Sequence, residues 1–300
     1  MPEPATNDES NALPDKFECY ELCVQSPRHV VAFIRAAHGR EPVVLREDFC
    51  GSAAISRQWA TEGLESGETR RAVAVDISAP SVARAVDLAR AENALSHIAF
   101  FCGDVLEEMH YWKCATTPSG GADPQSATDA VAPDVIFVGN FSLGYIHERA
   151  ALVQYLKDCR TALRRGNAGL GNGAFVCDTY GGARAFKTGG FERIHPGRRG
   201  EIIRYTWSRD AADPVTGMVD NSISFRIEVG GEVVQELPRA FFYRWRLWSI
   251  AELREALLEA GFAGVSVHID TNIAPGQVPR GIASPAELGD DWIVLIVGRV

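Results

Sequence analysis

The 300-residue chain has no apolar run approaching the ~20 residues a membrane-crossing helix needs, which excludes a helical transmembrane segment. It has no excess of positive charge either. Lys and Arg total 30 against 39 Asp and Glu, for a formal net charge of -9. A polyphosphate is repelled by such a chain on average, which argues against a nucleic-acid partner. The opening residues, MPEPATNDESNALPD, lack the apolar core of a secretory signal, so the expected location is the cytoplasm. The 7 cysteines, at 19, 23, 50, 102, 114, 159 and 177, are odd in number and scattered. Without a secretion signal they read as reduced thiols. Cys19 and Cys23 lie one helical turn apart, but no second Cys/His pair has matching spacing, and no metal site is assigned.

What is present is ordinary globular composition, 46% hydrophobic and 23% charged. The length accommodates two domains, or one large α/β domain with an insertion. Residues 1–14 read as a polar disordered tail. One or two helices follow, with Val30, Phe33, Ile34 and Ala37 at helical spacing and Gly39 as C-cap. Short apolar runs then recur at 43–45, 72–75, 98–102, 135–138 and 174–177. They are too short for helices and do not alternate with polar residues, as expected of strands buried on both faces of a parallel sheet. Helical patterns at 80–94 and 147–165 lie between them, so the expected architecture is a doubly wound sheet with right-handed crossovers.

Residues 116–128 have loop composition. Residues 185–246 carry β-branched and aromatic residues in partial alternation, with turns at 213–217 and 230–231, and read as an inserted small antiparallel sheet. Ser249 and Glu252 then form a capping box for an amphipathic helix ended by Gly261. Two final strands, 263–269 and 291–300, have no helix between them and are expected to pair antiparallel. The predicted organisation is a main α/β domain of 15–184 and 247–300 interrupted by the β subdomain 185–246, an acceptor lid or dimer contact.

Ligands of doubly wound sheets sit outside the carboxyl ends of the strands. There the first strand delivers Glu47 or Asp48, the second Asp76, the third Asp104 and the fourth Asn140. Each acid alone is compatible with a turn or a helix cap; their order and strand–helix spacing point to one ligand edge. This arrangement resembles the class I S-adenosylmethionine-dependent methyltransferases, over roughly 40–185 and 247–300. The resemblance implies a seven-stranded, mostly parallel sheet with one antiparallel terminal strand. It implies a small-residue loop after the first strand, an acid gripping the ribose hydroxyls (Asp76) and an acid meeting the adenine amino group (Asp104).

The family's loop is acid-x-Gly-x-Gly-x-Gly; here the run is Glu47-Asp48-Phe49-Cys50-Gly51-Ser52-Ala53, with Phe49 and Ala53 in place of the outer glycines. Implied cofactor contacts extend to Ile77, Gly103, Val105, Asn140 and Phe141, with Tyr20 as a candidate in a helix near the methionine end. The implied cofactor is S-adenosylmethionine, with S-adenosylhomocysteine as product, and the implied acceptor is a small molecule methylated at nitrogen or oxygen. His147 is a candidate general base, against the plainer reading of a helix N-terminal polar residue, and Tyr145 a candidate acceptor-site residue. The β insertion, rich in arginine and aromatics, could hold an acceptor, form a homodimer contact, or be an amphipathic sheet with solvated arginines. Two other readings remain open. One is a non-catalytic cofactor-binding module. The other is an NAD-dependent oxidoreductase, for which the Gly-x-Gly-x-x-Gly loop is absent.

Overall fold

The computed structural model describes residues 13–107, 113–116, 132–166, 172–269, 273, 277–282 and 284–300. The chain divides into two compact units. The larger holds 26–187, 213–219 and 244–300; the smaller holds the N-terminal segment through Gln25, with 188–212 and 220–243.

In the larger unit the short apolar runs are strands: β1 (Val44–Asp48), β2 (Arg71–Asp76), β3 (Ile98–Cys102), β5 (Val135–Val138) and β6 (Ala174–Gly182). β11 (Gly264–His268) and β12 (Asp291–Arg299) complete the set expected from sequence. The sheet runs β11-β12-β6-β5-β1-β2-β3, with β12 antiparallel to both β6 and β11 and the rest parallel. An eighth strand, β4 (Lys113–Thr116), extends the edge by pairing antiparallel with β3. The sequence reading stopped at seven strands, because a four-residue edge strand carries no apolar run and is defined by the open hydrogen-bonding edge it meets. Most of the predicted 116–128 loop falls outside the described residues.

Apolar side chains leave both faces of the sheet, which is why the strands lack alternation. On one face Leu45, Ala74, Phe100 and Val176 pack with α2 (Pro27–His38), α3 (Ala54–Ser66) and α4 (Ala79–Ala91). On the other, Val75, Ile136, Phe175 and Ile296 pack with helices we number α5 (Arg149–Arg165) and α6 (Ile250–Glu259). Local signals hold where they were expected. Gly39 caps α2 at φ +75°, Ser78 caps α4, and Ser249 and Glu252 form the capping box of α6.

The smaller unit is built on a four-stranded sheet, ordered β10-β9-β8-β7: β7 (Gly189–Pro196), β8 (Ile202–Asp213), β9 (Met218–Val229) and β10 (Glu232–Arg246). Asp213 and Thr216 shape the β8–β9 turn, and Gly230 and Gly231 adopt positive φ in the β9–β10 turn. The sequence reading grouped residues 15–25 with the main domain. In the structure α1 (Lys16–Val24) joins the insertion: Cys19 and Cys23 share an apolar cluster with Ile203, Ile223, Phe225 and Ile227.

Candidate functional site

The two acids ending β1 point to opposite faces of the sheet, as a strand's period of two requires. Asp48 faces α5. It accepts from Arg46 Nε at 2.8 Å and Nη2 at 2.6 Å, and from Tyr155 Oη at 2.6 Å. Glu47 faces α3, whose first turn supplies Ser56 N at 2.8 Å and Ser56 Oγ at 2.6 Å. Burial pushes the Glu47 carboxyl up to about 7 despite these donors. Both acids are therefore occupied in holding β1 to its neighbouring helices.

The loop that follows is shaped by backbone. Phe49, Gly51 and Ala53 adopt left-handed φ of 56°, 54° and 54°. These are the positions held by glycine in the loop pattern described above, and Phe49 and Ala53 take there a conformation that side chains disfavour. Such strain costs roughly 1–2 kcal/mol per non-glycine residue and is kept where surroundings over-determine it. A Cβ added at Gly51 would meet nothing within 4 Å, so the loop borders open space there. Cys50 is buried, its N–H bonded to the Val75 carbonyl at 2.9 Å.

Asp76 closes β2 beside this loop. Its Oδ2 accepts Gly51 N–H at 2.8 Å and its Oδ1 accepts Ser78 N–H at 2.8 Å. Burial holds its carboxyl above the usual range, against those two bonds. Gly103 N–H bonds the Asp76 carbonyl at 3.1 Å, joining the ends of β2 and β3. Ile77, the next residue, is 70% exposed. Asp104 Oδ1 caps the turn after β3 through Leu106 N–H at 2.9 Å, while Val105 is buried in the core.

Beyond β5, Asn140 and Phe141 both take left-handed φ. Their amides donate to Asp178 at 2.8 and 2.7 Å. Asp178, on β6, was missed by the sequence reading, since a lone acid within an apolar strand gives no positional signal. Burial pushes it up to about 7. Phe141 packs edge-on against Tyr180 (ring centroids 4.8 Å) and Trp245 (6.1 Å). Trp245 meets Tyr145 at 5.9 Å, and Tyr145 stacks on Phe49 at 6.1 Å with 17° between planes. A continuous run of rings thus links the β1 loop to the end of β6. His147 Nε2 lies 3.0 Å from the Arg244 carbonyl. Next to the run, Tyr180, Gly182, Phe186, Thr216, Arg246 and Trp292 border a cavity of about 330 Å³.

The structure therefore gathers Phe49, Cys50, Gly51, Asp76, Ile77 and Gly103 at one place, and Phe141 and Tyr145 along the adjoining aromatic run. Tyr20 lies in the smaller unit, 5.0 Å from the Phe241 ring. Several insertion arginines are paired there: Arg204 with Glu192 and Glu228, Arg199 with Glu18. Tyr205 belongs to that unit's core.

No protein-family model matches the sequence, and no curated protein matches it. Solved structures do match in fold. An S-adenosylmethionine-dependent methyltransferase from Clostridium acetobutylicum aligns with TM-score 0.61 at 13% identity, over 94% of this chain and 96% of that one. The CcbJ methyltransferase from Streptomyces caelestis aligns at 0.59 and 17%, over 91% and 89%. An amino pentose methyltransferase from Micromonospora echinaspora, solved with S-adenosylmethionine bound, aligns at 0.58 and 13%, over 97% and 99%. The chain has the fold of the class I S-adenosylmethionine-dependent methyltransferases.

Proposed function

We propose that this protein binds S-adenosylmethionine across the carboxyl ends of β1, β2 and β3 and transfers its methyl group to nitrogen or oxygen of a small molecule. The observation that carries this reading is the loop Phe49–Ala53, whose left-handed residues alternate at 49, 51 and 53 beside open space at Gly51. A loop that keeps this geometry without its outer glycines keeps it against local preference, and such strain concentrates at ligand sites.

The residues present fit the cofactor. Each Asp76 oxygen accepts one backbone N–H and retains a lone pair, so the carboxylate can receive both ribose hydroxyls. Exposed Ile77 offers an apolar platform beside it for a purine ring. When bound, the cofactor supplies an electrophilic methyl group on a sulfonium. The chain's own residues bind, orient and exclude water; an in-line displacement needs alignment above all. The aromatic run and the adjoining cavity supply the acceptor side, and a volume of about 330 Å³ suits a small molecule. The amino pentose methyltransferase of the same fold supports both the cofactor and the acceptor class.

Titration calorimetry with S-adenosylmethionine, S-adenosylhomocysteine and NAD tests the reading. The first two are expected to bind and NAD is not. At ~100 times Kd, binding stabilises by about 2.7 kcal/mol, visible as a thermal shift. Binding of NAD, or of none of the three, overturns it. Binding without formation of S-adenosylhomocysteine across an acceptor panel favours a non-catalytic module.

A further inference from the structure

Asp178 sits near the carboxyl end of β6 and keeps partial exposure, unlike Cys177 and Thr179 on either side of it. One of its oxygens accepts the Asn140 amide at 2.8 Å and the other the Phe141 amide at 2.7 Å, and each keeps a lone pair. With Phe141, Tyr180 and Trp245 it borders a narrow void. The lining of that void shares Tyr180, Arg246 and Leu247 with the cavity of about 330 Å³. We infer that Asp178 is the general base of methyl transfer and that the acceptor is a phenolic hydroxyl, whose proton passes to this carboxylate. The inference rests on the methyltransferase reading above and specifies its base and its acceptor class.

Position is the first support. The strands run β6-β5-β1-β2-β3, and the ribose acid Asp76 ends β2. A cofactor laid from β3 and β2 toward β1 brings its sulfonium to the gap between β1 and β5, where the strand order reverses. Of the two acids ending β1, Glu47 is held by Ser56, and Asp48 by Arg46 and Tyr155. Beyond the gap, the carboxylate on the acceptor side is Asp178.

The charges around it are the second. No cationic group offsets its burial, which pushes the carboxyl up to about 7. Arg246 borders the same void, but its guanidinium is engaged by Glu252, by the His147 carbonyl and by the face of Trp248. A buried carboxylate without a cation costs stability, and a base works best when its proton affinity matches the working pH. His147 is the rival: donating Nε2–H to the Arg244 carbonyl leaves its Nδ1 able to accept a proton. It lines neither the void nor the cavity.

The acceptor class follows from acidity and shape. A phenol has an ordinary pKa of about 10, close enough for such a carboxylate to draw its proton as the new bond forms. An aliphatic alcohol is a far weaker acid, and a neutral amine needs no base. Tyr180, Phe186 and Trp292 wall the cavity and suit a flat ring. The phenol oxygen bonds the methyl carbon while its proton moves to Asp178. The carbon–sulfur bond breaks and its electron pair stays on sulfur. The products are a methyl aryl ether and S-adenosylhomocysteine, and Asp178 then returns the proton to water.

4-Nitrophenol, which ionises near neutrality, is the probe. It is titrated into protein saturated with S-adenosylhomocysteine at about pH 8, in two buffers of different ionisation enthalpy, so that calorimetry counts the protons exchanged. Probe and Asp178 are both ionised when apart, and two adjacent anions cannot stay so; about one proton should be taken up per probe bound. Asp178→Asn should bind the probe without uptake, and His147→Gln should keep the uptake. An Asp178 that only pins the Asn140–Phe141 turn exchanges no proton with the probe. In parallel, phenol should be methylated in preference to cyclohexanol and cyclohexylamine, with kcat ~100-fold lower in Asp178→Asn. Its affinity for S-adenosylhomocysteine should match the wild type; if that variant does not fold, the wild-type proton count and His147→Gln decide. No binding of 4-nitrophenol, no uptake in the wild type, uptake kept in Asp178→Asn or lost in His147→Gln, or preference for cyclohexylamine overturns the inference alone. Failure of S-adenosylhomocysteine to bind the wild type overturns the methyltransferase reading and this inference with it.

Discussion

The backbone N–H of Gly51 donates to Asp76 Oδ2 at 2.8 Å, tying the loop after β1 to the acid that ends β2. One bond thereby makes two sequence motifs, 25 residues apart, into a single surface. It orients the carboxylate and fixes the loop's left-handed turn together, so a change at either residue is felt at the other.

Gly51→Ala separates space from strain. The new methyl has room, since nothing lies within 4 Å of its position, but the left-handed φ of 54° costs about 1 kcal/mol. Differential scanning fluorimetry should show a fall in Tm of roughly 2–4 °C. The stabilisation by S-adenosylhomocysteine should disappear, because the methyl projects into the space assigned to the cofactor. A retained shift would move the cofactor elsewhere.

Ala53 tests the strain directly. Ala53 and Ala60 are both fully buried in the α3 region, but only Ala53 has positive φ. Ala60→Gly, inside the helix, should cost about 1 kcal/mol or more in urea unfolding. Ala53→Gly should cost clearly less, since relief of the left-handed penalty offsets the entropy gained by the unfolded chain. Equal losses would mean that the Ala53 backbone stores no strain.

Asp76→Asn removes the charge while keeping the shape. Hydrogen bonds to a charged group contribute ~1.5–3 kcal/mol, so affinity for S-adenosylhomocysteine should fall by roughly 10- to 100-fold. The Asp76 carboxyl lies above its ordinary value, chiefly through burial. Only the ionised form accepts both hydroxyls at full strength, so wild-type affinity should weaken with falling pH, and at a higher pH than for an ordinary aspartate. The asparagine variant should lose that dependence; calorimetry at several pH values reads both.

Asp48 is expected to act on stability. Asp48→Ala strands the buried Arg46 guanidinium and should cost ~3–5 kcal/mol. Tyr155→Phe removes one bond to the same carboxylate and should cost ~1.5–3 kcal/mol. Chemical denaturation measures both. Tyr155→Phe should leave the S-adenosylhomocysteine Kd unchanged, and a large change there would bring Asp48 into the cofactor site.

Glu47 and Asp178 predict how stability varies with pH. Burial pushes both up to about 7 from ordinary values of 4.5 and 3.8. Between those limits the folded state holds protons the unfolded state has released, so stability falls as pH rises through the window. Tm should therefore increase as pH is lowered from about 8 toward about 5. The double variant Glu47→Gln, Asp178→Asn should flatten this slope, and an unchanged slope would assign it to other groups.

The strands and their helices were legible because burial on both faces leaves a short, unbroken apolar run. The caps at Ser78 and Ser249 and the turn at Gly39 were legible because their chemistry is local. Asp76 and Gly51 were singled out by their place after strands, which the structure keeps. Strand β4 was not, because Lys113–Thr116 becomes a strand only through the edge β3 presents. The role of Asp178 depends on amides 37 and 38 residues away, and the aromatic run brings Trp245 to Phe141 and Tyr145 across about a hundred residues of chain.

Side-chain order alone thus marked seven of the eight strands, their winding and which strands end in an acid, since periodicity and turn chemistry act over a few residues. Folding in three dimensions settled the rest: which face each β1 acid serves, that α1 packs with the insertion, and that a run of rings joins the β1 loop to the end of β6. Those outcomes depend on strand register and on partners far along the chain, and nothing within a short window of sequence encodes them.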